Sequence, residues 1–195
     1  MAVTSRSQTR RISTTKKLSE TNNNFMTIEP WLNGAIDGMP KMLMPSAHAL
    51  MQAQEDIARH AGNLTSEELW MKPNGAPSVG FHLRHINGSM DRLLTYTKGE
   101  ALTPSQFEFL KCEQESEQNE TAEALVEAVN VRVTETLNFM ESFPETEYFA
   151  ERFVGRAKLK TNVFGLIFHL SEHTQRHVGS LIVVCKIVRS HSFNQ

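Results

Sequence analysis

Apolar residues recur at helical spacing along most of the chain after residue 40. In "KMLMPSAHALMQAQEDIARHAGNL", Leu43, Ala47, Leu50, Met51, Ile57, Ala58 and Ala61 share one stripe of period 3.6, which predicts an amphipathic helix. Pro45 fits its first turn, where a missing N–H is tolerated. A second stripe of Val79, Leu83, Ile86, Met90, Leu93 and Leu94 predicts a helix that begins near Ser78, a good N-cap. A third, of Ala122, Leu125, Val126, Val129, Val133, Leu137 and Met140, predicts a helix from about Thr121 to Ser142. A fourth runs from near Thr161 to about Arg189. It is apolar on almost every side around 163–170 and 181–188, as suits a core or a subunit contact.

The segments between the stripes carry shorter signals. Thr65 with Glu68 three residues later reads as a capping box and predicts a helical turn. Thr103, Pro104 and Gln106 open another short helix. The acidic run "KCEQESEQNE" predicts a solvated connection, and "PETEYFAERFVGRAKLKTN" an extended loop or small hairpin. Four long helices with long connections predict an all-α fold, a four-helix bundle over residues 26–195. Loops of that length can cap one end of a bundle and line a pocket there. Residues 1–25 are polar and basic, and predict a disordered N-terminal extension.

Composition narrows the partners. The chain has 195 residues and a net charge of -2, so nothing global points to nucleic acid or an anionic membrane. No apolar run approaches the ~20 residues that span a bilayer. Two cysteines make no disulfide framework, and a reducing cytoplasm is the expected setting. Cys185 lies in an apolar run as a small core residue, and Cys112 sits among glutamates that disfavour its thiolate. No nucleophile motif of the G-x-S-x-G kind is present.

The distinctive chemistry is histidine. Of the eight, five fall in "FHLRHI" (81–86) and "FHLSEHTQRH" (168–177). His173 and His177 lie one helical turn apart on one face, a spacing used in metal sites. A third imidazole from another helix would complete a three-histidine set with an open position, the catalytic rather than the structural pattern. Phe168, Leu170 and Val178 around the pair predict a partly buried setting. The same five rings could instead hydrogen-bond carbonyls, carboxylates or water across the bundle, and spacing alone leaves both readings open. Of the neighbouring polar residues, Arg84 and Arg176 are expected to snorkel to the surface and Asp91 and Glu172 to be surface charges. Trp31 and Trp70 are expected in ordinary packing.

The segments "SVGFHLRHINGSMDRLL" and "FHLSEHTQRHVGSL" resemble the two motif helices of the DinB/YfiT-like metalloenzyme superfamily, and the resemblance extends over about residues 40–190. That family pairs an "xxHI" histidine on its second helix with "HxxxHxGQ" on its last. His85 before Ile86 matches the first, and His173, His177 and Gly179 match the second; Ser180 stands where the family usually has glutamine. The resemblance implies a four-helix bundle, often a homodimer, with a divalent metal, zinc or nickel, on His85, His173 and His177. Helical phase puts His82 nearer the apolar stripe than His85, so the pattern alone points to His82 and the motif to His85. His82, His169 and Arg176 are then expected around the site, as orienting or pocket residues. The implied function is a metal-dependent transferase or hydrolase acting on a small molecule. A low-molecular-weight thiol is one candidate substrate, and the loops at 65–77, 99–120 and 144–160 would choose among them. The competing reading is a non-catalytic, stress-associated helical module for binding or dimerisation.

Overall fold

The computed structural model describes residues 28–116 and 120–192, and the expected N-terminal extension lies outside them. In chain order the helices are α1 (Met44–Ala61), α2 (Ser66–Trp70), α3 (Val79–Thr97), α4 (Pro104–Cys112), α5 (Ala122–Ser142) and α6 (Val163–Ser192). Between α5 and α6 the chain forms a hairpin of β1 (Glu151–Val154) and β2 (Leu159–Asn162), antiparallel with Glu151 opposite Asn162.

Local chemistry sets where these helices begin. Ser78 accepts the Phe81 N–H at 3.1 Å, and Thr121 accepts the Ala124 N–H at 3.2 Å. Thr65 and Glu68 close a full capping box, as do Thr103 and Gln106. Each such cap stabilises its helix by about 1 kcal/mol.

The long helices form a four-helix bundle. Each of α1 and α3 packs against both α5 and α6, so the order around the bundle is α1, α6, α3, α5. Helices consecutive along the chain, α1 with α3 and α5 with α6, therefore sit on the diagonals. A diagonal step has to cross the end of the bundle, which is why α2 and the hairpin fill those two connections. The interior is closed by fully buried Leu43, Leu50, Ile57, Leu83, Ile86, Met90, Met140, Leu170 and Leu181. Burial of each contributes roughly 1.5–3 kcal/mol before the entropy of ordering is charged against it. Trp70 packs against α3 at Gly80, where a Cβ would come within 2.8 Å of the indole. Cys185 is buried, and burial pushes its thiol up to about 11.

Three packing expectations change. Ala58 faces solvent, because it follows Ile57 on the outer flank of α1 and Ala53 takes the inward position. The apolar surplus of α6 is not all core: Phe168 is 59% exposed and Val183 56%, since only α1 and α3 cover that helix broadly. Trp31 is 60% exposed and donates its indole N–H to Glu29 at 2.6 Å. Among the described residues, no helix is long and apolar enough to cross a membrane.

Candidate metal centre

The packing of α3 against α6 brings the two histidine segments face to face. His85 projects from α3 toward His173 and His177 on α6, with ring centroids 5.2 and 4.4 Å away. The two α6 rings are 4.6 Å apart. Each of the three residues offers a nitrogen, and the three nitrogens all lie within 4.8 Å of one another. The Nε2 atoms of His85 and His173 are 3.0 Å apart.

The other expected residues surround this cluster in different ways. His82, one turn before His85, is buried, and its Nδ1 lies 3.1 Å from Nδ1 of His177. His169 is exposed, with Nδ1 2.7 Å from a Glu172 carboxylate oxygen and its ring 5.4 Å from His173. Arg176 reaches back along α6, Nη2 3.2 Å from His173 Nδ1 and Nε 2.8 Å from Glu172. Leu170 and Val178 are buried beside the pair as expected. Phe168 is not; it turns outward into a groove with Pro45 and Ala49.

The decisive addition comes from the acidic connection after α4. Glu113 was expected in solvent, yet it is 2% exposed. Its Oε2 lies 2.7 Å from His85 Nδ1, and its Oε1 accepts from Arg92 Nη1 at 2.7 Å. A carboxylate only accepts, so Nδ1 of His85 carries the ring proton and Nε2 turns a lone pair toward the cluster. Arg84 also departs from expectation. It is buried rather than snorkelling, and donates to the carbonyls of Cys112, at 2.9 Å, and Glu115. The cause is common to both residues: Arg84 and Arg92 are buried on α3, and buried cations need partners. The connection folds inward to supply them. Gly88 permits the approach, because a Cβ there would meet Glu113 Oε1 and the Phe109 ring at 2.7 Å.

Burial, reinforced by repulsion from His85, lowers three imidazoles: His82 and His173 to about 4 and His177 to about 3. Near pH 7 these rings are neutral, the state in which imidazole binds metal. In the metal-free chain the same shifts set an acid limit. Their folded values lie below the unfolded value of 6.5, so acid protonates the unfolded chain first. This stability is complete above about pH 6.5 and is lost as pH falls through 4 toward 3. Chelator-treated protein is expected to melt progressively lower between pH 6.5 and 4. A flat melting temperature over that range, followed by circular dichroism, contradicts it.

The residues fit a divalent cation. Three imidazoles converge, and a carboxylate orients one of them. His82 Nε2 is buried without a hydrogen-bond partner, which leaves His82 to serve His177 through Nδ1 alone. Arg176 fits only the metal-free form. A His173 that gives Nε2 to a cation carries its proton on Nδ1, where the Arg176 guanidinium is also a donor. The guanidinium then has to withdraw toward Glu172.

A pocket of about 360 Å³ opens on His85 and His173, walled by Leu93, Leu102, Phe107 and Leu110. Of the three loops expected to face the site, 99–120 and 144–160 contribute to it and 65–77 does not.

Fold and site together define a four-helix bundle whose histidine cluster can hold a divalent metal. The sequence pattern of the DinB superfamily matches residues 49–181, and the chain belongs to that superfamily. No curated protein sequence matches the chain.

Sequence reasoning missed Glu113 and Arg92. A single buried carboxylate inside an acidic run has no periodicity to mark it. The available signal was Gly88, a glycine in mid-helix one turn after His85, which announces a close approach.

Proposed function

We propose that the chain is a metal-dependent enzyme acting on a small molecule, with His85, His173 and His177 holding one divalent cation, zinc or nickel. The observation that carries this reading is the convergence of three imidazole nitrogens, two of them from residues that line a pocket, His85 and His173. When bound, such a cation supplies Lewis acidity and lowers the pKa of a thiol or water, so thiol S-transfer and hydrolysis are the two reactions that fit.

The chain's own residues have separable parts in this. Glu113 holds the proton of His85 on Nδ1 and keeps Nε2 free. Arg92 pairs with Glu113 and holds its carboxylate in place beside His85. His82 receives the Nδ1 proton of His177 when that ring turns Nε2 inward. The apolar walls bind the organic part of the substrate and displace water from it.

The test compares zinc-loaded, nickel-loaded and chelator-stripped protein in two assays: conjugation of cysteine to monobromobimane, and hydrolysis of p-nitrophenyl acetate. At least one loaded form is expected to exceed the stripped form by tenfold or more, about 1.4 kcal/mol of barrier. Metal binding with both rates at the buffer level would overturn the enzyme reading in favour of a helical binding module.

A further inference from the structure

We infer that the pocket beside the histidines binds a small amphiphilic monocarboxylate, with Arg156 as the group that recognises its carboxylate. This deepens the proposed function and rests on it for the reaction, while the binding itself can be measured without metal. Three observations lead here.

The first is the charge balance of the pocket wall. Three basic side chains outside the metal set line it: Arg92, Arg156 and His169. Arg92 is held by Glu113 and His169 by Glu172, each at 2.7 Å. Arg156 has no hydrogen-bond or ion-pair partner among the described residues, and no carboxylate lines the pocket. The wall therefore presents one uncompensated positive charge, which matches a monoanion better than a dianion. A guanidinium is also a planar fork shaped for a carboxylate.

The second is the rest of the wall. Leu93, Leu102, Phe107 and Leu110 surround the space with hydrocarbon. About 360 Å³ is at the lower end of small-molecule sites, enough for a short aliphatic or single-ring body.

The third is how Arg156 is placed. It follows Gly155 in the turn of the hairpin, which is closed by the Lys158 N–H donating to the Gly155 carbonyl at 3.1 Å. Gly155 has φ +68°, a conformation that glycine adopts freely. The hairpin is tied to the bundle by Arg152, whose Nε donates to the Thr97 carbonyl at 2.7 Å. Thr97 ends α3, the helix that also supplies Arg92 and Leu93. The turn is thus fixed relative to the apolar wall it faces.

Hexanoate is the probe, with hexan-1-ol, acetate and inorganic phosphate as comparisons, titrated calorimetrically into chelator-stripped protein. Hexanoate is expected to saturate one site and to bind about tenfold or more tighter than hexan-1-ol and acetate, with no saturation by phosphate. Arg156→Gln should weaken hexanoate about tenfold and leave hexan-1-ol unchanged, and Arg156→Lys should fall between. Arg156 is exposed on a turn, so these variants should keep the wild-type circular dichroism. As a second route, Leu110→Asp places a negative charge in the wall and should also weaken hexanoate. Equal binding of hexanoate and hexan-1-ol, tighter binding of phosphate, or unchanged hexanoate affinity in Arg156→Gln overturns the inference. Because metal is absent throughout, these failures are distinct from failure of the metal reading, which shows in the zinc and nickel titrations instead.

Discussion

Replacing His173 and His177 together with alanine is expected to abolish binding of zinc and nickel. The double variant leaves His85 as the last donor of the converging set, and one imidazole does not hold a divalent ion at micromolar concentration. In wild-type protein the metal should raise stability by mass action, about 4 kcal/mol at a thousandfold excess over Kd. The variant should show no such rise. Its metal-free fold should survive, because the two rings are only partly buried. Alanine is also the better helix former, by up to about 0.7 kcal/mol at each position. Metal analysis of the purified proteins and thermal melts with and without zinc check both halves. Retention of stoichiometric metal by the double variant would remove His173 and His177 from the site.

Glu113→Ala should produce the largest loss of intrinsic stability. The carboxylate side chain is 3% exposed and that of Arg92 10%, so the truncation leaves a buried guanidinium unpaired. Breaking a buried pair from one side costs about 3–5 kcal/mol. The same change removes the acceptor that fixes the His85 ring, and loss of such a partner typically lowers metal affinity about 10–100-fold. Glu113→Gln separates shape from charge. Its amide has one acceptor oxygen, while the carboxylate now faces a donor on each side, Arg92 Nη1 and His85 Nδ1. One of them must then face the amide NH2, so glutamine should relieve only part of the loss. Urea unfolding and competitive zinc titration measure the two effects. An alanine variant that unfolds at the wild-type urea concentration would show that Arg92 finds another partner.

These two experiments probe parts of the molecule that differ in how far the sequence announced them. His173 and His177 were visible as a pair because a helix puts residues four apart on one face wherever it lies. The third member was ambiguous. Helical phase singled out His82 as the more inward ring, and it is indeed the buried one. His85, only partly buried, is the one whose nitrogen meets those of the α6 pair, while His82 contacts His177 through Nδ1. Phase about one helix axis says which way a side chain points. It does not say how the neighbouring helix crosses, and the crossing of α3 with α6 selects the ring that faces the pair.

Glu113 shows the opposite limit. The residues that follow it, 114–120, are all polar, so hydrophobic patterning put the whole connection in solvent. The buried charges of Arg84 and Arg92 draw the chain inward, through contacts to residues 21 to 31 positions away. A demand for counter-charge acts across space and leaves no period in the chain. The pocket has the same origin: its walls come from α3, α4, α6 and the hairpin turn, segments that meet only once the bundle is closed.

The amino-acid sequence by itself determined the four long helices, the cap at Ser78, the capping boxes at Thr65 and Thr103 that open the two short helices, and the family to which the chain belongs. Those features depend on interactions within a few residues and on motifs carried by single helices. Tertiary structure alone decided the diagonal arrangement of the helices, the burial of Glu113 between Arg92 and His85, and the placing of Arg156 over the pocket. Each of these depends on distances between segments far apart in the chain, which are set only when apolar faces and buried charges are satisfied together.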